Sequence, residues 1–206
     1  MKQLIDPKET SRARAFELWM TSPMPMVTIT KTFDISRLVR YGRRHNLKLN
    51  MLLCHCIGLA AKMQKEFYLL PSSEGFYKYD QLAINVIVEG LDGQIHSCDI
   101  PMSDDLQQFN EAYQKLTKQV TESSKSYFLD DYMIIGTSTL VESEIDSITN
   151  QYSEQFQNPF LAWGRYRKRC FRYTLPISFQ FHHVQMDGLH AAKFLEQLQE
   201  RIKHHA

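Results

Sequence analysis

The chain lacks any run approaching the roughly 20 consecutive apolar residues of a membrane span. Its first residues, Met1-Lys2-Gln3-Leu4-Ile5-Asp6, lack the apolar core of a signal peptide. A cytoplasmic location with no membrane partner is the expectation. Charge of one sign is missing too. Lys and Arg number 24 against 23 Asp and Glu, a formal net charge of +1, so no overall field points to nucleic acid. Cysteine is scarce. Cys54, Cys56, Cys98 and Cys170 are irregularly spaced, which suits reduced thiols better than a disulfide framework. Cys54-His55-Cys56 has the composition of a metal cluster, but helical residues two apart diverge by about 200° and cannot chelate together. No metal is expected, and no repeat, low-complexity tract or linker divides the chain.

What is present suits a globular protein. The 206 residues are 43% hydrophobic and 23% charged, enough to bury one substantial core. Pro7 is placed to start a helix over about 8–19, in which Arg12 and Phe16 share a face. Residues 26–33 alternate Val27, Ile29 and Lys31 against threonines, the pattern of a strand. Helices are expected from Asp34-Ile35-Ser36 to about His45, and over 51–64 with Asn50 as its cap. Residues 67–70 and 75–80 read as a hairpin. Two further strands cover 82–89 and 94–99. Ser103-Asp104-Asp105 opens a helix to about Glu122, and 127–131 read as loop or short helix. Residues 133–139 form a strand ending in hydroxyl side chains, and Lys203-His204-His205-Ala206 a frayed helix end.

The chemistry concentrates in Phe179-Gln180-Phe181-His182-His183-Val184-Gln185-Met186-Asp187-Gly188-Leu189-His190. An apolar run from Tyr173 to Phe181 predicts a buried strand. From Leu189 the apolar positions recur at three- and four-residue steps to Ile202, predicting a helix. The two histidines stand at the junction. Imidazole titrates near neutral pH, so a partly buried neutral ring can take a proton from a hydroxyl if something fixes its tautomer. Gly188 allows a positive φ or a close backbone approach. Taken alone, the string also fits a structural histidine pair before a helix cap.

His-His-x-x-x-Asp-Gly near the end of a chain of this length resembles the chloramphenicol acetyltransferase family. It is similar, less closely, to the acyltransferase cores of 2-oxo acid dehydrogenase complexes. Asp6, Arg12, Phe16 and Glu17 repeat the family's spacing near the N-terminus, and the order of helices and strands is shared. The resemblance implies an α/β fold, a two-layer α/β sandwich with a mixed β-sheet. It implies one acetyltransferase domain over 1–206, assembled as a homotrimer with sites at subunit interfaces.

It also implies acetyl transfer from acetyl-CoA to a hydroxyl of chloramphenicol, inactivating the antibiotic in a ternary complex. The partners are then a small-molecule alcohol and further copies of the chain. His183 is the implied general base, its tautomer fixed by a bond to its own carbonyl. Asp187, paired with Arg12, and Gly188 support the turn. Aligning Ile145-Asp146-Ser147 with the family's Phe-Thr-Ser makes Ser138 the donor to the oxyanion, and a shift of one residue selects Thr137. Arg165 and Tyr166 match a basic–aromatic pair near the coenzyme. The cluster Arg165, Arg167, Lys168, Arg169 and Arg172 fits either coenzyme phosphates or a solvated hairpin tip.

Departures are plain. Leu140-Val141-Glu142 stands where the family has Pro-Trp, and Ala162 where it has a threonine that positions a water. An acetyltransferase for another small alcohol and a catalytically inactive trimeric ligand-binding homologue therefore stay open.

Overall fold

The computed structural model describes residues 2–153 and 155–204. The strands are β1 (Lys2–Ile5), β2 (Met26–Asp34), β3 (Leu69–Ser72), β4 (Gly75–Tyr79), β5 (Leu82–Glu89), β6 (Ile95–Pro101), β7 (Met133–Leu140), β8 (Phe160–Gly164), β9 (Arg167–Arg169) and β10 (Arg172–His182). The helices are α1 (Ala13–Trp19), α2 (Ser36–His45), α3 (Leu49–Ala61), α4 (Leu106–Ser123) and α5 (Gly188–Lys203). His205 and Ala206 of the expected frayed end lie outside the described residues.

Six strands form the main path of a mixed sheet in the order β2-β10-β8-β7-β5-β6, with β9 pairing the start of β10. β7 runs parallel to β5 and β8, and the other pairs are antiparallel. Alternation along β10 separates two faces. Tyr173, Leu175, Ile177, Phe179 and Phe181 point into the core, where Phe67, Phe179 and Phe194 pack ring against ring at 4.7–6.0 Å. α3 packs against α4 and α5 within that layer. The opposite face carries Ser178, Gln180 and their cross-strand neighbours, and residues 141–153 and 155–159 cross it without regular structure. The chain is therefore a two-layer α/β sandwich built on a mixed sheet.

A smaller sheet, β1-β4-β3, lies beside it. Its cluster joins Leu69, Phe76 and Val184 to Ile5, Phe16 and Met20. Phe16 meets Phe76 edge-on at 5.4 Å. This cluster fastens the N-terminal segment against the turn that follows β10.

Three expectations need correction. The helix over 8–19 is divided: Asp6 caps a 3-10 turn over Pro7–Glu9 by accepting from the Lys8 N–H at 2.8 Å, and α1 begins only at Ala13. Asn50 is not a cap. α3 starts at Leu49 after an extended Lys48, and the Asn50 amide donates to the Tyr113 hydroxyl at 3.4 Å. Gly188 has neither a positive φ nor a close neighbour. It is the first residue of α5, where ordinary helical backbone asks nothing of glycine.

Candidate active site

The turn over 183–187 is held from several sides. At its start the His183 N–H donates to the Pro25 carbonyl at 2.8 Å. Val184 is buried in the small cluster, and the buried Gln185 amide donates to the Leu69 carbonyl at 2.6 Å. The strongest tie comes from Arg12, only 6% exposed. Its Nε donates to the Val184 carbonyl at 3.0 Å, Nη2 to the His183 carbonyl at 2.8 Å, and Nη1 to Asp187 Oδ2 at 3.1 Å. A planar guanidinium suits that geometry because its donors form a rigid fork.

Asp187 does two jobs at once. Its other oxygen caps α5, accepting from the Leu189 and His190 N–H groups at 3.1 and 3.2 Å, while the His190 ring lies 2.7 Å away. Burial works to raise the Asp187 carboxyl, but the His190 backbone bond, the His190 ring and Arg12 outweigh it, and the net shift is downward. The far nitrogen of His190 reaches the buried Glu66 at 3.3 Å. The turn thus sits in a continuous run of polar contacts through Arg12, Asp187, His190 and Glu66.

The two histidines differ. His182 is fully buried, and its Nδ1 accepts from the Val184 N–H at 3.1 Å. Burial first, and then the neighbouring His183, lower its pKa to about 4, so it stays neutral. His183 is partly exposed and lies 5.0 Å from Trp19, with ring planes only 13° apart. The bond expected from its ring to its own carbonyl is absent. Arg12 occupies that carbonyl, and Nδ1 makes no hydrogen bond among the described residues. Stacking on Trp19 holds the ring instead. Nothing in the sequence signalled Trp19 beyond its place at the end of an amphipathic stretch.

Sheet alternation separates the two hydroxyl candidates. Thr137 is 1% exposed on the helix-covered face, and its hydroxyl donates to the Asn85 carbonyl at 2.8 Å. Ser138 is on the other face, its hydroxyl in no hydrogen bond among the described residues. It stands in register with Ala162, which is in register with Ser178 and then Thr30. Ser178 shares a hydrogen bond with Thr30 at 2.8 Å and accepts from the Ile148 N–H at 2.8 Å, which pins the irregular segment to the sheet.

Beside Ser138 on this face is a cavity of about 700 Å³. Gly136 and Phe160 contribute to its floor, and Asn150 and Phe156 to its wall. Neither His183 nor Ser138 is among its lining residues.

Arg165 and Tyr166 stand elsewhere, on two adjoining clefts of about 290 and 260 Å³ that share Tyr166 and Leu49. Arg43 and Lys48 line one cleft, and Arg165, Leu53 and Trp163 the other. Arg43 donates to the Tyr166 and Tyr173 hydroxyls at 3.3 and 3.1 Å. The other basic residues of the cluster lie outside these clefts. Arg167 pairs with Asp146 at 2.6 Å and Glu144 at 3.6 Å, while Lys168, Arg169 and Arg172 are solvated around the β9–β10 hairpin. Cys54 and Cys56 are buried in α3, and burial pushes the Cys54 thiol up to about 12. Among the described residues no group of three His, Cys, Asp or Glu is placed to hold a metal, and no helix is long and apolar enough to cross a membrane.

Comparison with known proteins gives a consistent result. The family model described as chloramphenicol acetyltransferase matches residues 2–199. A chloramphenicol acetyltransferase of Clostridium butyricum is 23% identical, over 96% of this chain and 93% of the relative. Chloramphenicol acetyltransferase 3 of Escherichia coli is 21% identical, over 95% and 94%. A solved structure described as chloramphenicol acetyltransferase superposes with a TM-score of 0.85 at 20% identity, covering 98% of this chain and all of the other. A truncated catalytic core of the 2-oxoacid dehydrogenase complex from Thermoplasma acidophilum gives 0.72 at 16% identity, over 95% and 96%.

Proposed function

Since the chain belongs to the chloramphenicol acetyltransferase family, we propose that it moves the acetyl group of acetyl-CoA onto a primary hydroxyl, with chloramphenicol the first acceptor to test. The observation that carries this reading is the Arg12 grip on the turn that presents His183. A rigidly held, partly exposed imidazole is suited to take the proton of a hydroxyl brought against it.

In this reading His183 takes the hydroxyl proton as the hydroxyl oxygen bonds to the acetyl carbon, and returns it to sulfur as the carbon–sulfur bond breaks. Ser138 donates its free hydroxyl to the oxygen that becomes negative, a contribution commonly worth about 3 kcal/mol of barrier. Asp187 and Arg12 position the turn without touching substrate. Acetyl-CoA supplies the activated acyl group. The clefts around Tyr166 fit it: Lys48, Arg43 and Arg165 offer cations to phosphates, and Leu53 and Trp163 offer apolar walls to the pantetheine arm.

Within one chain, His183 does not line the cavity next to Ser138. A second copy supplying His183 would complete the site, which is the role of the homotrimer. Exposed Leu140 and Val141 are apolar surface suited to such contact. The single domain over 1–206 then acts only as an assembly.

A different small alcohol is the second reading, favoured by Ala162 and by the exposed Leu140-Val141-Glu142. Thiol release from acetyl-CoA with chloramphenicol, parent against His183→Ala, is the test. A loss of about a thousandfold or more supports the reading. Retention within tenfold overturns it, and ligand binding without any thiol release marks an inactive homologue.

A further inference from the structure

The cavity beside Ser138 has an unusual floor. Asn85 on β5 and Asp99 on β6 are cross-strand partners on the face opposite the helices, and both line it. Asp99 is 2% exposed. One of its oxygens accepts from the Asn85 amide at 2.7 Å, the other from the Leu129 N–H at 2.9 Å. A carboxylate accepts about four hydrogen bonds, so these two leave lone pairs available. Among the described residues, no lysine, arginine or histidine lines the cavity, and no ion pair reaches Asp99. Burial accordingly raises its carboxyl, despite the Asn85 and Leu129 bonds.

A buried carboxylate without a counter-charge is costly for a protein to keep. The surroundings suggest what repays it. Phe128, whose chain neighbour Leu129 bonds Asp99, and Phe156 line the same cavity, and an aromatic face near a carboxylate forms a favourable setting for an ammonium group. The sheet gives the distance. Asp99 is in register with Asn85, and Asn85 with Gly136, two residues before Ser138. Two strand spacings and two residue rises put about 12 Å between the Asp99 and Ser138 positions.

We infer that the preferred acceptor is an amino alcohol whose cationic amine meets Asp99 while its hydroxyl, about 12 Å away along the cavity, reacts beside Ser138. The inference rests on reading this cavity as the acceptor's place in acetyl transfer. It selects among alcohols by charge and length. A neutral alcohol of the same shape leaves the carboxylate uncompensated, and a short amino alcohol cannot reach both ends.

Two matched pairs of probes test it: 8-aminooctan-1-ol against nonan-1-ol, and 3-aminopropan-1-ol against butan-1-ol. Binding is measured by titration calorimetry on the parent protein, and kcat/KM by thiol release from acetyl-CoA. The long amine should bind, and be acetylated, at least tenfold better than nonan-1-ol. The short pair should differ by less than threefold, and Asp99→Asn should bring the long-pair ratio to within twofold. Equal or reversed binding within the long pair of the parent overturns the inference, whatever the variant does. So does an equal amine preference in the short pair. A tenfold binding preference without thiol release from any probe keeps Asp99 as the amine's partner but overturns the acceptor role together with the transfer reading.

Discussion

Arg12 and Asp187 are 175 positions apart in the chain and 3.1 Å apart in space. The same guanidinium also holds the carbonyls of His183 and Val184. One side chain therefore fixes both the helix cap and the residue expected to do the chemistry.

Arg12→Lys keeps the charge but cannot span three acceptors. Removing one partner of a fully buried pair costs roughly 3–5 kcal/mol. The Asp187 side chain is 39% exposed, so solvent screening lowers the expected loss to about 2 kcal/mol. Chemical denaturation should show that loss, with turnover reduced more than KM. Asp187→Asn should be milder than Asp187→Ala, since asparagine still caps α5.

Trp19 stacks on the His183 ring, whose Nδ1 has no hydrogen bond among the described residues. Aromatic pairs contribute about 0.5–1.5 kcal/mol beyond burial. Trp19→Ala should therefore lower kcat by up to about tenfold, and Trp19→Phe should restore most of it. Steady-state thiol release distinguishes the two variants.

Ser138 and Thr137 should respond oppositely. Ser138→Ala is expected to cost about 10²–10³ in kcat with little change in stability. Thr137→Val deletes the hydroxyl bound to the Asn85 carbonyl. Its effect should appear in denaturation as about 1–2 kcal/mol, with turnover within a few-fold. Reversal of that pattern would make Thr137 the oxyanion donor.

His182 makes stability depend on pH. Its folded pKa of about 4 lies below the ordinary 6.5, so the unfolded chain binds the proton first. Stability from this group is complete above about pH 6.5 and drains away as the pH falls toward 4. The difference corresponds to about 3 kcal/mol. Unfolding at fixed temperature should record that decline. His182→Asn, whose oxygen can still accept from the Val184 N–H, should flatten it.

Local pattern made β10 and α5 readable, because an apolar run gives way abruptly to a three-and-four-residue period. The same reasoning failed at Asn50, where a good capping residue is drawn to Tyr113 on a distant helix. It gave no strand for β8, whose five residues lack alternation because both strand faces are covered. The Arg12–Asp187 contact came from resemblance, since nothing local links positions so far apart. Asp99 was invisible: an acid alternating with apolar residues in a strand reads as solvent-facing, and only the covering segment shows otherwise.

The cavity's floor belongs to the sheet, while much of its wall comes from irregular backbone around residues 149–153 and 156–158. Changes in that wall disturb no ladder and little of the core. Acceptor preference can therefore drift through successive neutral mutations while the proton-transfer apparatus stays fixed, a division of labour that lets one scaffold acquire new substrates without first risking its fold.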